Sequence, residues 1–234
     1  MVNNNETLGM SCERAICEIF NQSDEIEENR VNMEKVNNLK PLLAGFFNEN
    51  NITYLQYTGK NQNKTDYVDN NKKTYSVKTN NKKSEKICPQ MIGQCTRQTF
   101  CEKIYHQLEK GDPYYLLDNE QIKEWILNNT HKLLVKYFEN LFCCDYLLYI
   151  KELNNSYKIN MYSKISLKLK DFKKEEIVFT RTKENWNESN TVKIILKNAN
   201  RTQTTISIGE FQIHNNRNCI KFRFNWTNLC KYFI

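Results

Sequence analysis

A mixed α/β fold, helical at its start and strand-rich in its C-terminal half, is what this sequence predicts, and three observations predict it. Apolar residues recur at helical spacing over 8–20 and 33–47, and the period then changes to that of strands from residue 52. After residue 145, short segments rich in β-branched and aromatic residues are separated by turn-like clusters. The 234 residues are 39% hydrophobic and 12% aromatic with only 6 Gly and 3 Pro, which suits one globular domain over 1–234 and excludes collagen-like and Gly- or Pro-rich classes.

The elements follow in order. In LGMSCERAICEIF, Leu8, Cys12, Ala15, Ile16, Ile19 and Phe20 share a helix face, with Glu13, Arg14 and Glu18 between them. An acidic patch at 24–28 precedes a second helix over 33–47. Residues 52–57 read as a strand, and 65–68 and 74–79 as a hairpin around the turn-forming run 69–73. Pro89 opens an expected helix running to Leu108, because proline is tolerated in a first helical turn. Asp118 with Gln121 three residues on resembles a capping box for a helix to Asn128, and Thr130 starts a longer one, HKLLVKYFENLF. Strands are expected at 146–151, 157–162, 177–180, 192–196, 204–214 and 219–224, and a short helix from Asn225.

The charge balance is 34 Lys+Arg against 27 Asp+Glu, a net +7 that leans toward a polyanionic partner. That lean is discounted by the 34 Asn and by 27 Lys against 7 Arg, a bias that an A/T-rich bacterial or viral genome produces by itself. The first residues carry neither a basic n-region nor an apolar h-region, and no run of about 18 apolar residues occurs, so a cytoplasmic, non-membrane protein is expected. Nine Cys without a CxxC pair predict reduced, mostly buried thiols and no zinc site. His106, His131 and His214 are too scattered for a metal cluster.

Chemistry concentrates in KTDYVDNNKKTYSVKTN. With a five-residue loop at 69–73, Asp66 lies opposite Ser76 and diagonal to Lys78 across the hairpin. A carboxylate and an ammonium on adjacent strands can hold a divalent cation and position a water for phosphodiester hydrolysis. The bland alternative is a solvent-facing turn with an ordinary Asp66–Lys78 cross-strand pair.

This arrangement resembles the PD-(D/E)xK nuclease superfamily, specifically its small type II restriction endonucleases. The likeness covers 8–110 as a catalytic-core-like segment: a helix bearing an acid, a strand with Asp66, a hairpin, and Ser76-Val77-Lys78 closing the next strand. Residues 111–234 would complete the domain as a helical connection and a strand-rich part. The sequence departs from the family pattern in having Ser76 where a second acid is usual. The resemblance then implies a carboxylate from the first helix; Glu13 is chosen over Glu18, since five residues turn a helix by a net ~140°. It further implies a restriction-endonuclease-like core, Mg²⁺ held by Asp66, Glu13 and the Val77 carbonyl, catalysis with Lys78, a double-stranded DNA substrate and a homodimer matching a palindromic site.

Gln90, Gln94 and Arg97, spaced at four and three on the expected helix, are candidate base readers, and Lys82 and Lys83 candidate phosphate contacts. A non-catalytic nucleic-acid-binding protein and a repair or recombination nuclease of the same superfamily are the competing readings.

Overall fold

The computed structural model describes residues 5–60, 63–83, 85–90, 92–109, 116–154, 156–164, 172–197, 202–214 and 217–234. In chain order the elements are α1 (Asn5–Ile19), α2 (Met33–Glu49), β1 (Gln56–Tyr57), β2 (Tyr67–Val68), β3 (Thr74–Asn80), β4 (Lys86–Ile87) and β5 (Gln94–Cys95). Then come α3 (Arg97–Phe100), a π-helical turn (Cys101–Tyr105), α4 (His106–Glu109), α5 (Asn119–Leu141), β6 (Tyr146–Leu153) and β7 (Ser156–Ser163). β8 (Ile177–Phe179), β9 (Ser189–Lys197), β10 (Gln203–Ile213), β11 (Ile220–Asn225) and α6 (Trp226–Phe233) follow. The mixed α/β class and the strand-rich C-terminal half are as the sequence predicts.

The chain divides into two compact units, Met1–Lys83 with Phe142–Ser166 and Ser84–Leu141 with Leu167–Ile234. Each unit builds its own sheet.

In the first unit the sheet order is β1-β2-β3-β6-β7, with β3 and β6 parallel and the other pairs antiparallel. Leu8, Cys12, Ala15 and Ile16 recur on one stripe of α1, and they meet Val36, Leu39 and Leu43 of α2 over Tyr67, Tyr75, Val77, Leu148 and Ile150 of the sheet. The alternation that sends Tyr75 and Val77 into this core puts Ser76 and Lys78 on the other face of β3. Asn32 caps α2 by accepting from the Lys35 N–H at 3.1 Å. The Arg14 guanidinium closes the end of α1, donating to the carbonyls of Ser23 and Ile26.

The second unit has the order β4-β11-β10-β9-β8, with β5 pairing β11 as well, all antiparallel. Aromatic rings fill its core: Tyr137 of α5 stacks on Phe222 at 4.5 Å, and Phe138 packs on Phe224 at 4.7 Å. The Asp118–Gln121 capping box forms, each side chain accepting from the other's backbone N–H at 2.8 and 2.9 Å. The two helices expected after it are one, because Thr130 is buried and its hydroxyl bonds back to the Ile126 carbonyl at 2.5 Å without breaking the spiral. The expected helix from Pro89 to Leu108 is not continuous. Gly93 turns so tightly that a Cβ there would lie 2.3 Å from the Pro89 oxygen, Gln94–Cys95 pairs with β11, and a helix starts only after Thr96, which accepts from the Thr99 N–H.

None of the nine cysteines is in a disulfide. Among the described residues no helix is long and apolar enough to cross a membrane.

Candidate active site

The site forms in the first unit at the mouth of the β2–β3 hairpin. The hairpin register pairs Tyr67 with Tyr75 and Val68 with Thr74, which sets Asp66 opposite Ser76. The loop fixes that register locally. Asp69 Oδ1 accepts the N–H groups of Asn71 and Lys73, both at 2.8 Å, while Lys72 takes a left-handed φ of 61°.

Asp66 is oriented by β3 itself. Its Oδ2 accepts the Ser76 hydroxyl at 3.0 Å and the Val77 N–H at 2.7 Å. Ser76, fully buried where the family pattern has an acid, is therefore a donor that fixes the neighbouring aspartate.

Glu13 arrives from α1. Tyr67 donates its hydroxyl to the Glu13 backbone carbonyl at 2.8 Å, and Tyr57 donates to the Glu13 carboxylate at 3.2 Å. The Tyr57 backbone is held in turn by Gln22, which accepts its N–H at 2.8 Å and donates to the Leu55 carbonyl at 2.7 Å. Gly59 leaves room for the ring, since a Cβ there would lie 2.7 Å from the Tyr57 hydroxyl. Burial, and then the charge of Asp66, push the Glu13 carboxyl up to about 7; Tyr57, Lys78 and Arg30 pull the other way. Asp66 and Lys78 thus both lie within electrostatic reach of Glu13, although 53 residues separate Glu13 from Asp66 in sequence. The Cys143 thiol lies in the same field: burial raises its pKa, and the Lys78 charge lowers it.

Glu18 is not part of this group. Arg14 Nε binds one of its oxygens at 3.0 Å and Lys40 the other at 3.2 Å, and the net effect of these cations is to hold its carboxyl below the ordinary value against the opposing effect of burial.

Lys82 and Lys83 are exposed just after β3 in the first unit. Gln90 sits in a turn, Gln94 on β5 opposite Lys221, and Arg97 at the first position of α3, so the three do not share a helix face. The reason is the Gly93 turn and the pairing of β5. The Arg97 guanidinium donates to Asn119 Oδ1 at 3.0 Å, a structural tie within the second unit.

Among the described residues no three His, Cys, Asp or Glu side chains converge as a metal cage. The Glu13 and Asp66 carboxylates still fit one hard cation, since Mg²⁺ is commonly bound through one or two carboxylates and keeps several waters. Tyr57, Gln22 and Gly59 were not foreseen from the sequence. Gly59 after an aromatic strand was their only visible signal, and nothing in it specifies a bond to Glu13.

No protein-family model matches the chain. The chain is 33% identical over 238 residues to the type II restriction enzyme CviAII of Paramecium bursaria Chlorella virus 1, an alignment that takes in 97% of this chain and 60% of the length of that relative.

Proposed function

We propose that this chain is a Mg²⁺-dependent type II restriction endonuclease of the PD-(D/E)xK superfamily, hydrolysing phosphodiester bonds of double-stranded DNA at a short specific sequence. The observation that carries the reading is an Asp66 carboxylate held by Ser76 and the Val77 N–H at the hairpin, with Glu13 of α1 within electrostatic reach of both Asp66 and Lys78. The similarity to a restriction enzyme along almost the whole chain supports it.

In this reading Asp66, Glu13 and the Val77 carbonyl hold the cation. Bound there, Mg²⁺ supplies positive charge against the scissile phosphate and lowers the pKa of a coordinated water. The protein's own groups do the rest. Ser76 and the Val77 N–H fix the Asp66 carboxylate in one rotamer, so no side-chain ordering is left to the moment of reaction. Tyr57 orients Glu13 and favours its charged form. Lys78, on the strand face shared with Ser76, donates hydrogen bonds that orient the attacking water and offset charge developing on the phosphate. A homodimer would match two such sites to the two strands of a palindrome.

The test is digestion of an unmethylated phage genome with millimolar Mg²⁺. Discrete fragments are expected from the unaltered chain, none with EDTA, and none above background from Asp66→Ala or Lys78→Ala. Intact DNA from the unaltered, folded chain in both Mg²⁺ and Mn²⁺ would remove the catalytic reading.

A further inference from the structure

Among the described residues, the sheet of the second unit has one face packed on aromatic residues and another whose strand positions are only partly buried. The strand registers decide which residues stand on that second face. Gln94, Lys221, Gln212 and Ser189 form one row across β5, β11, β10 and β9. Arg223, Glu210 and Thr191 form the next, and Lys86 lies opposite Asn225 at the edge. Lys193, beside Val178 and Ser207, and Lys197, beside Gln203, extend the face along β9.

A β-bulge builds this arrangement. The register slips between Ser207 and Gly209, so β10 presents Ser207 and then Glu210 and Gln212 outward, while Gly209, Phe211 and Ile213 turn inward. Only glycine fits at 209, where a Cβ would sit 2.5 Å from the Phe222 ring. Without the slip, Phe211 would stand in the polar row.

Charge on this face departs from the chain average. The whole sequence has 34 basic residues to 27 acidic ones, near parity. The outward positions of the described strands carry Lys86, Lys193, Lys197, Lys221 and Arg223 against Glu210 as their one carboxylate. A drift toward lysine adds cations everywhere but does not remove acids from one face. Nor is Glu210 a free acid: it binds Lys86 at 2.6 Å, Arg223 at 2.7 Å and Gln212 at 2.7 Å, fixing the two cations side by side above a polar pocket. Among the described residues Arg223 Nε is buried without a hydrogen-bond partner.

We propose that this face is the surface of the second unit that grips duplex DNA, with Lys193, Lys197 and Lys221 on phosphates and Arg223, ordered by Glu210, presented to base edges alongside Gln94 and Gln212. The choice of duplex DNA rests on the proposed function; the charge separation and the bulge do not. Arginine and glutamine are the side chains whose forked donors match guanine and adenine in a major groove, and lysine suits phosphates.

The test is fluorescence anisotropy of the full chain on mixed-sequence duplex DNA across a salt series, with Ca²⁺ replacing Mg²⁺. Lys193→Glu/Lys221→Glu is compared with Lys132→Glu/Lys231→Glu, a reversal of the same net charge on helices of the same unit, with thermal melts to check that both fold. Loss of at least about tenfold in affinity and a salt slope lower by about 2 are expected for the sheet pair alone. Arg223→Gln, which loses the charged fork, should melt as a folded chain in the same thermal check, lower binding less than the double reversal and blur the fragment pattern in digests. Equal losses from both pairs, or none from the sheet pair, would overturn the assignment even where the unaltered chain cuts DNA. A chain that neither binds nor cuts would remove the functional reading and this assignment with it.

Discussion

Burial and the neighbouring Asp66 charge hold the Glu13 carboxyl neutral up to about pH 7 when no cation is bound. The native state then binds a proton that the unfolded chain, with an ordinary glutamate, releases near pH 4.5. The stabilisation is complete below that ordinary value and is lost as pH rises through about 7, so the metal-free protein should weaken between those limits by up to ~3 kcal/mol. Glu13→Gln should flatten that dependence and raise the melting temperature at pH 8 in EDTA, while cutting Mg²⁺-supported cleavage by about 10²-fold. Parallel melting curves for the two proteins from pH 5 to 8 would refute the account. Tyr57→Phe, at the next remove, should weaken cation affinity by roughly tenfold, read by calorimetry, and leave the fold intact. Asp66, Ser76 and Lys78 were legible because strand alternation and a five-residue loop fix their relation. Tyr57 was not, since its bond to Glu13 spans 44 residues and depends on Gln22 bracing β1 against α1.

At the scale of elements, local signals that satisfy backbone groups were the ones that could be read. The Asp118–Gln121 box and the Asn225 cap on α6 form as their spacing indicates, because an orphan N–H at a helix start has few other partners. The stretch after Pro89 misled for the opposite reason. Its helical spacing lost to a pairing with β11, more than 120 residues away, that no local pattern encodes. The hairpin loop offers a direct check on local control. Lys72 holds a φ of 61°, where a Cβ is strained, so Lys72→Gly should stabilise the protein by roughly 0.5–1 kcal/mol. The measurement is chemical denaturation at constant m-value. A fall in stability would mean that the Lys72 side chain contributes more than its backbone costs.

The whole molecule is two units threaded by one chain. β3 needs β6 as its parallel neighbour, and 65 residues lie between Asn80 and Tyr146, most of them belonging to the other unit. Leu148 and Ile150 complete the core under α1 and α2, so residues 1–83 alone lack part of their own interior. That fragment should remain without a cooperative melt, whereas joining it to 142–164 through about a dozen Gly/Ser residues, enough for a parallel crossover, should restore one by circular dichroism. Non-cooperative melting of both would show that the second unit is needed for the first to fold. The interleaving also constrains how segments of this chain can be exchanged. The chain passes between units three times, after Lys83, Leu141 and Ser166. A single recombination junction between two parent genes therefore divides at least one unit between them, and exchanging one unit whole demands three matched junctions. A point change on either surface needs no such junction.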